Sequence, residues 1–188
     1  MTRRVKIFQT LANRENPDEV ETHGSFKCAA ANAWMGEGYY FWEAFIKHAH
    51  WWGKISYGSN YFICQSIIQY DPERIFDLVG DTNALAEIQN VSSLLSKKKL
   101  PCTVAGAIEF LKRHTTDFLE KYVAVRARDE RNTESRDRLF FTDSRKEYVN
   151  LSPLIQLCFF DKSVPREGGF RIIFPVDYVN VGENFLAI

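Results

Sequence analysis

The chain has no apolar run near the ~20 residues that a membrane-spanning helix needs. Nor does one follow the charged start Met1-Thr2-Arg3-Arg4, so neither a membrane span nor a secretory leader is expected. There is no Cys-x-x-Cys pair. Cys28, Cys64, Cys102 and Cys158 lie far apart, which excludes a knuckle-type zinc site and reads as the reduced thiols of a cytoplasmic protein. Charge of one sign is not in excess: 24 Lys and Arg stand against 24 Asp and Glu. No global field therefore draws in nucleic acid or an anionic membrane, although a local basic patch stays open. Internal repeats and linkers are also lacking, so residues 1–188 read as one domain.

Large rings are what the chain does have: 15 Phe, 8 Tyr and 4 Trp, enough to fill a core and line a cleft. Polar residues 11–22 read as a loop entering a strand at Val20–Phe26, followed by a strand at Tyr39–Trp42. A helix is expected from near Glu43, with Phe45, Ala49 and Trp52 on a stripe that includes His48, and with Gly53 as its stop. Asn60–Gln69 has strand composition. Leu85, Ile88, Val91 and Leu95 predict a helix from Asp81 or Thr82. Thr103 predicts the cap of another helix. Residues Arg126 to Glu147 read as a charged surface segment whose arginines could meet phosphates. Leu154–Phe160 and Phe170–Val176 read as strands around a turn containing Gly168-Gly169.

Two short motifs carry chemistry: Thr22-His23-Gly24-Ser25, and Gly36-Glu37-Gly38-Tyr39-Tyr40-Phe41 leading into an aromatic helix. Each alone is commonplace, since His-Gly is usually a structural turn and Gly-x-Gly-x-Tyr a hairpin. His48 and His50, at i,i+2, point to different helix faces and make no metal pair, and no metal is expected. In this order, however, the motifs resemble the His-Tyr-Glu class of ADP-ribosyltransferases, the diphtheria-toxin and poly(ADP-ribose) polymerase group, and small bacterial members in particular.

The resemblance implies an α+β fold with split antiparallel sheets around an NAD cleft, flanked by helices. It implies NAD as substrate, with ADP-ribose passed to a macromolecular acceptor, protein or nucleic acid. His23 would bond the adenosine ribose, Gly24 would offer its backbone to the nicotinamide amide, and Ser25 would belong to the same cofactor-binding strand. Tyr40 would stack on nicotinamide. Trp51 falls where a second aromatic is usual, and whether Trp51 or Trp52 meets the ring stays open. Breaking the nicotinamide–ribose bond builds positive charge, which a carboxylate stabilises. Here the chain departs from the family: the matching position holds Gln156, with Glu183 as the rival near the end of the chain. Glutamine brings no charge, which suggests mono-ADP-ribosyl transfer or weakened catalysis. Glu37 and Glu43 are expected to be solvated. Short members of this kind look like bacterial toxins or phage-defence effectors, which would add an antitoxin or regulatory partner. The alternatives are a degenerate module that binds NAD or a related nucleotide without turnover, and an unrelated α+β interaction protein.

Overall fold

A computed structural model describes residues 2–130, 137–141 and 147–179. In chain order the elements are β1 (Arg3–Ala12), α1 (Pro17–His23), β2 (Tyr39–Glu43), α2 (Ile46–Tyr57), β3 (Tyr61–Tyr70), β4 (Ile75–Asp77), α3 (Thr82–Lys97), α4 (Val104–His114), α5 (Phe118–Lys121), β5 (Ala124–Arg128), β6 (Arg138–Phe140), β7 (Tyr148–Asn150), β8 (Ile155–Phe159), α6 (Ser163–Glu167) and β9 (Arg171–Phe174). The α+β class expected from the sequence stands.

Seven strands form a mixed sheet in the order β4-β5-β8-β2-β1-β3-β9, while β6 and β7 make a separate two-stranded ribbon. Among the described strands only β4 and β5 pair in parallel. The large sheet is held unevenly across its middle. β1 and β3 are paired from Arg3↔Tyr70 to Ala12↔Tyr61, whereas β1 and β2 share only Ile7↔Glu43 and Phe8↔Trp42. Two blocks, β4-β5-β8-β2 and β1-β3-β9, thus meet at one short seam and part beyond it.

Strand alternation explains the two apolar layers. Ile7, Phe41, Phe62, Leu157 and Phe159 point to one face, where Val20 of α1, Phe170 and Tyr178 cover them. We call this the α1 face. On the other, the α2 face, there are two separate clusters. Met35, Val125 and Cys158 pack beneath Val91 and Leu95 of α3 and Ile108 and Leu111 of α4. Phe8, Trp42 and Ile63 pack beneath Ala49 of α2. The boundary falls on β2, with Tyr40 in the first cluster and Trp42 in the second.

Several local expectations are corrected. Val20–Phe26 is not a strand: Pro17 opens the helix α1, with Asp18 and Glu19 in its first turn, and only Val20 of its residues is buried. β1 had no expected counterpart. Glu43 does not begin a helix and is not solvated; it ends β2 and is 3% exposed. Gly53 does not stop α2, which runs on to Tyr57 and is ended by Gly58 at φ 65°. Arg126 lies in the buried strand β5 rather than in a surface segment. The caps of α3 and α4 do match: Asp81 accepts from Asn83 N–H and Thr103 from Gly106 N–H. Finally, the two packed antiparallel sheets that were expected are replaced by one mixed seven-stranded sheet with a weak seam, beside the small β6-β7 ribbon.

Candidate functional site

The segment that follows the first motif meets the second where the seam opens. Beyond Phe8, the next β1 residue, Gln9, pairs with no β2 residue through its backbone. Its side-chain amide instead donates to Phe26 O at 2.8 Å and to Tyr40 O at 3.3 Å, and it accepts from Phe26 N–H at 2.9 Å. The segment after His-Gly-Ser is thereby tied to the Gly-x-Gly-x-Tyr strand. Further out, Cys28 and Gly38 exchange both backbone hydrogen bonds. Gly38 is required there, because a Cβ would lie 2.5 Å from Cys158 Sγ and 2.7 Å from Phe159 O.

Tyr40 and Gln156 share the α2 face, since Tyr40 pairs with Cys158 and Trp42 with Gln156. One turn covers both. The Tyr40 hydroxyl accepts from Met35 N–H at 2.9 Å and donates to Gly36 O at 2.7 Å, while Trp34 Nε1 donates to Gln156 Oε1 at 2.6 Å. Burial beside Cys158 raises the Tyr40 phenol above its ordinary pKa, and burial pushes the Cys158 thiol up to about 12. Both groups stay protonated at neutral pH, so Tyr40 offers a ring and a hydroxyl, not a phenolate.

His23 does not join them. It is exposed at the end of α1, a helix packed through Val20 on the opposite face. Gly24 lies on that side too: a Cβ would fall 2.0 Å from the Phe170 ring, so its missing side chain serves packing. Ser25 is 3% exposed and its Oγ has no hydrogen-bond partner. On α2, Trp51 faces inward, 6.0 Å from the Trp42 ring at 80°, whereas Trp52 is 42% exposed. The helix therefore turns Trp51 toward the sheet. Glu183 lies outside the described residues.

Three groups on the α2 face were not singled out from the sequence as part of a site. Asp129 extends β5 beyond Arg128, its N–H donating to Leu154 O at 2.8 Å, and is 5% exposed. Because Ala127 pairs with Gln156, Asp129 stands two residues along on the same face, a carboxylate beside the Gln156 position. His48 and Ser152 are 4% and 5% exposed, and His48 Nδ1 has no hydrogen-bond partner among the described residues. Burial, with Lys47 next, pushes the His48 pKa down to about 4. Asp137, held low by its ion pair with Lys47 at 2.7 Å, faces both His48 and Ser152. The available signals were slight: Gln9 is a polar residue inside Ile7-Phe8-Gln9-Thr10-Leu11, and Asp129 sits in a dense charge run.

Compared with family models, curated proteins and solved structures, the chain matches none. Among the described residues no helix is long and apolar enough to cross a membrane.

Proposed function

We propose that the chain binds NAD on the α2 face, at Tyr40 and Gln156, and transfers ADP-ribose to a macromolecular acceptor. The observation that carries this reading is the parting of the sheet at Gln9. It ties the segment after His-Gly-Ser to the Tyr40 strand, whose α2 face offers an aromatic ring, an amide and a buried carboxylate. Nicotinamide would take the place that Trp34 now holds, stacked near Tyr40 with its amide on Gln156. This requires the turn at Trp34–Gly36 to release three hydrogen bonds. Asp129 would supply the negative charge that the ribosyl cation needs. His23 has no part in this site, which departs from the role the resemblance gives it.

A second reading, NAD or nucleotide binding without turnover, is favoured by one observation: Gln156 is uncharged and already bonded to Trp34. Incubation with NAD labelled in the adenylate phosphate, with nicotinamide measured in parallel, separates the two. Transfer of label with nicotinamide release is expected, and Gln156→Ala should lower it at least tenfold. Saturable binding with no nicotinamide released would leave the second reading. Absence of binding at millimolar NAD would remove both and favour an interaction protein. If the chain acts as a toxin or defence effector restrained by an antitoxin, its expression alone arrests growth and Gln156→Ala relieves the arrest.

A further inference from the structure

Away from Tyr40, the edge of the sheet at β3 and β9 holds a cavity of about 320 Å³ lined by Gln65, Ile67, Gly168, Gly169, Phe170 and Arg171. That volume is at the lower end of the range for small-molecule sites. Its walls are fixed. Ser66 Oγ donates to Pro165 O at 2.6 Å, and Ile67 N–H donates to Gly168 O at 3.1 Å, so α6 is tied to β3. Gly168 cannot carry a side chain, because a Cβ would lie 2.4 Å from Ile67 O. Gly169 turns the chain at φ 72°.

The chemistry of the lining is specific. Gln65 pairs with Arg171 and Ile67 with Lys6, so all four side chains leave the sheet on one face. Strand spacing puts the Arg171 and Lys6 backbones roughly 10–12 Å apart, a gap that two long cationic side chains can close. Both residues are exposed, and neither has an ion-pair partner among the described residues. Among the described residues no carboxylate lines the cavity. In a chain of zero net charge, two cations without an ion-pair partner among the described residues, beside a recess with an apolar wall, mark a local preference for anions.

We propose that this cavity binds a small organic phosphate monoester, its phosphate between Arg171 and Lys6, its apolar body against Ile67, and Gln65 supplying an amide hydrogen bond. Two cations favour a dianion over a carboxylate, and the Arg171 fork suits phosphate oxygens. The site is independent of the NAD reading, being built from other residues.

The test is an NMR titration of the full chain with phenyl phosphate, benzoate and inorganic phosphate in separate series. Phenyl phosphate is expected to saturate, with shifts at Gln65 and Gly168–Arg171 and a dissociation constant of roughly 1 mM, a fragment-scale affinity. Benzoate and inorganic phosphate should bind at least fivefold more weakly. Arg171→Ala, an exposed change that leaves the melting temperature in place, should weaken phenyl phosphate at least tenfold, and Gln65→Ala several-fold. Shifts that fail to saturate, an affinity untouched by Arg171→Ala in the folded protein, or equal affinity for inorganic phosphate would each overturn the proposal.

Discussion

At the scale of single residues, burial sets the chemistry of the α2 face, and His48 shows how. Its ring lies 5.7 Å from that of Trp42 and 5.5 Å from that of Phe45, with little room for water. The fold therefore favours the neutral imidazole, and the folded pKa of about 4 lies below the ordinary 6.5. A depressed pKa gives stability that is fully present above pH 6.5 and is lost as pH falls toward 4, because the unfolded chain takes up the proton first. At about 1.4 kcal/mol per pKa unit, the loss approaches roughly 3 kcal/mol. His48→Gln removes the titration. Denaturant melts at pH 7 and pH 4.5 should show a smaller difference for this variant than for the parent. An equal difference would assign the acid sensitivity to other groups. The nearby Asp137 carboxylate, already held low by Lys47, does not titrate until lower pH.

At the scale of elements, what the sequence revealed and what it hid have separate physical causes. Local signals read true. Asp81 and Thr103 cap the helices they were expected to cap, because a cap is a bond to a backbone three or fewer residues away. The β-branched and aromatic composition of Asn60–Gln69 gave a strand, which runs from Tyr61 to Tyr70. Signals whose meaning depends on distant partners did not read true. Gly24 resembles part of a cofactor strand, yet its backbone is bare because Phe170 lies on it. Glu43 resembled a helix start, yet it is buried by ion pairs with residues on β1 and β5. Of the candidate site, Tyr40 and Gln156 were legible and do share a face; His23 belonged to a helix that packs on the opposite face. Gly53 makes the same point in a testable form. It resembled a helix stop but lies inside α2 because Tyr61 occupies the space: a Cβ would fall 2.5 Å from that ring. Alanine there gains about 1 kcal/mol of helix propensity but must displace a ring that is 3% exposed, and overpacking costs about 1–3 kcal/mol. The clash should win, so Gly53→Ala should lower the melting temperature by several degrees, measured by circular dichroism. A rise would mean that Tyr61 moves freely.

At the scale of the whole molecule, the question is what keeps the two blocks of the sheet together when β1 and β2 share so short a seam. The seam ends at Glu43, and there the apolar layer gives way to charge. Arg126 Nε donates to Glu43 Oε2 at 2.6 Å, and its other arm reaches Asp77 at 3.0 Å, linking β5, β2 and β4. Glu43 Oε1 meets Arg3 of β1 at 2.9 Å, so one buried carboxylate carries the network across the seam. Tyr70, 6% exposed with its hydroxyl unpartnered, lies within the field of these charges, and burial raises its pKa. Arg126 and Glu43 side chains are 8% and 3% exposed, so this pair is little screened by water. Taking Arg126 away leaves Glu43 buried with only the half-exposed Arg3 beside it; losing one partner of a buried pair costs about 3–5 kcal/mol, whereas replacing both by apolar groups of similar size is often near neutral. Arg126→Ala should therefore lower the melting temperature by roughly 10 °C, at about 2–4 °C per kcal/mol for a chain of this length. Asp77, 23% exposed, can turn to water, but Glu43 cannot. The double change Arg126→Met with Glu43→Leu should recover most of that loss, and scanning calorimetry of the three proteins reads the difference directly. If the double variant melts as low as Arg126→Ala, the network is needed for its geometry across the seam rather than to neutralise Glu43. If Arg126→Ala melts within a degree of the parent, the two blocks are held by the apolar layers alone.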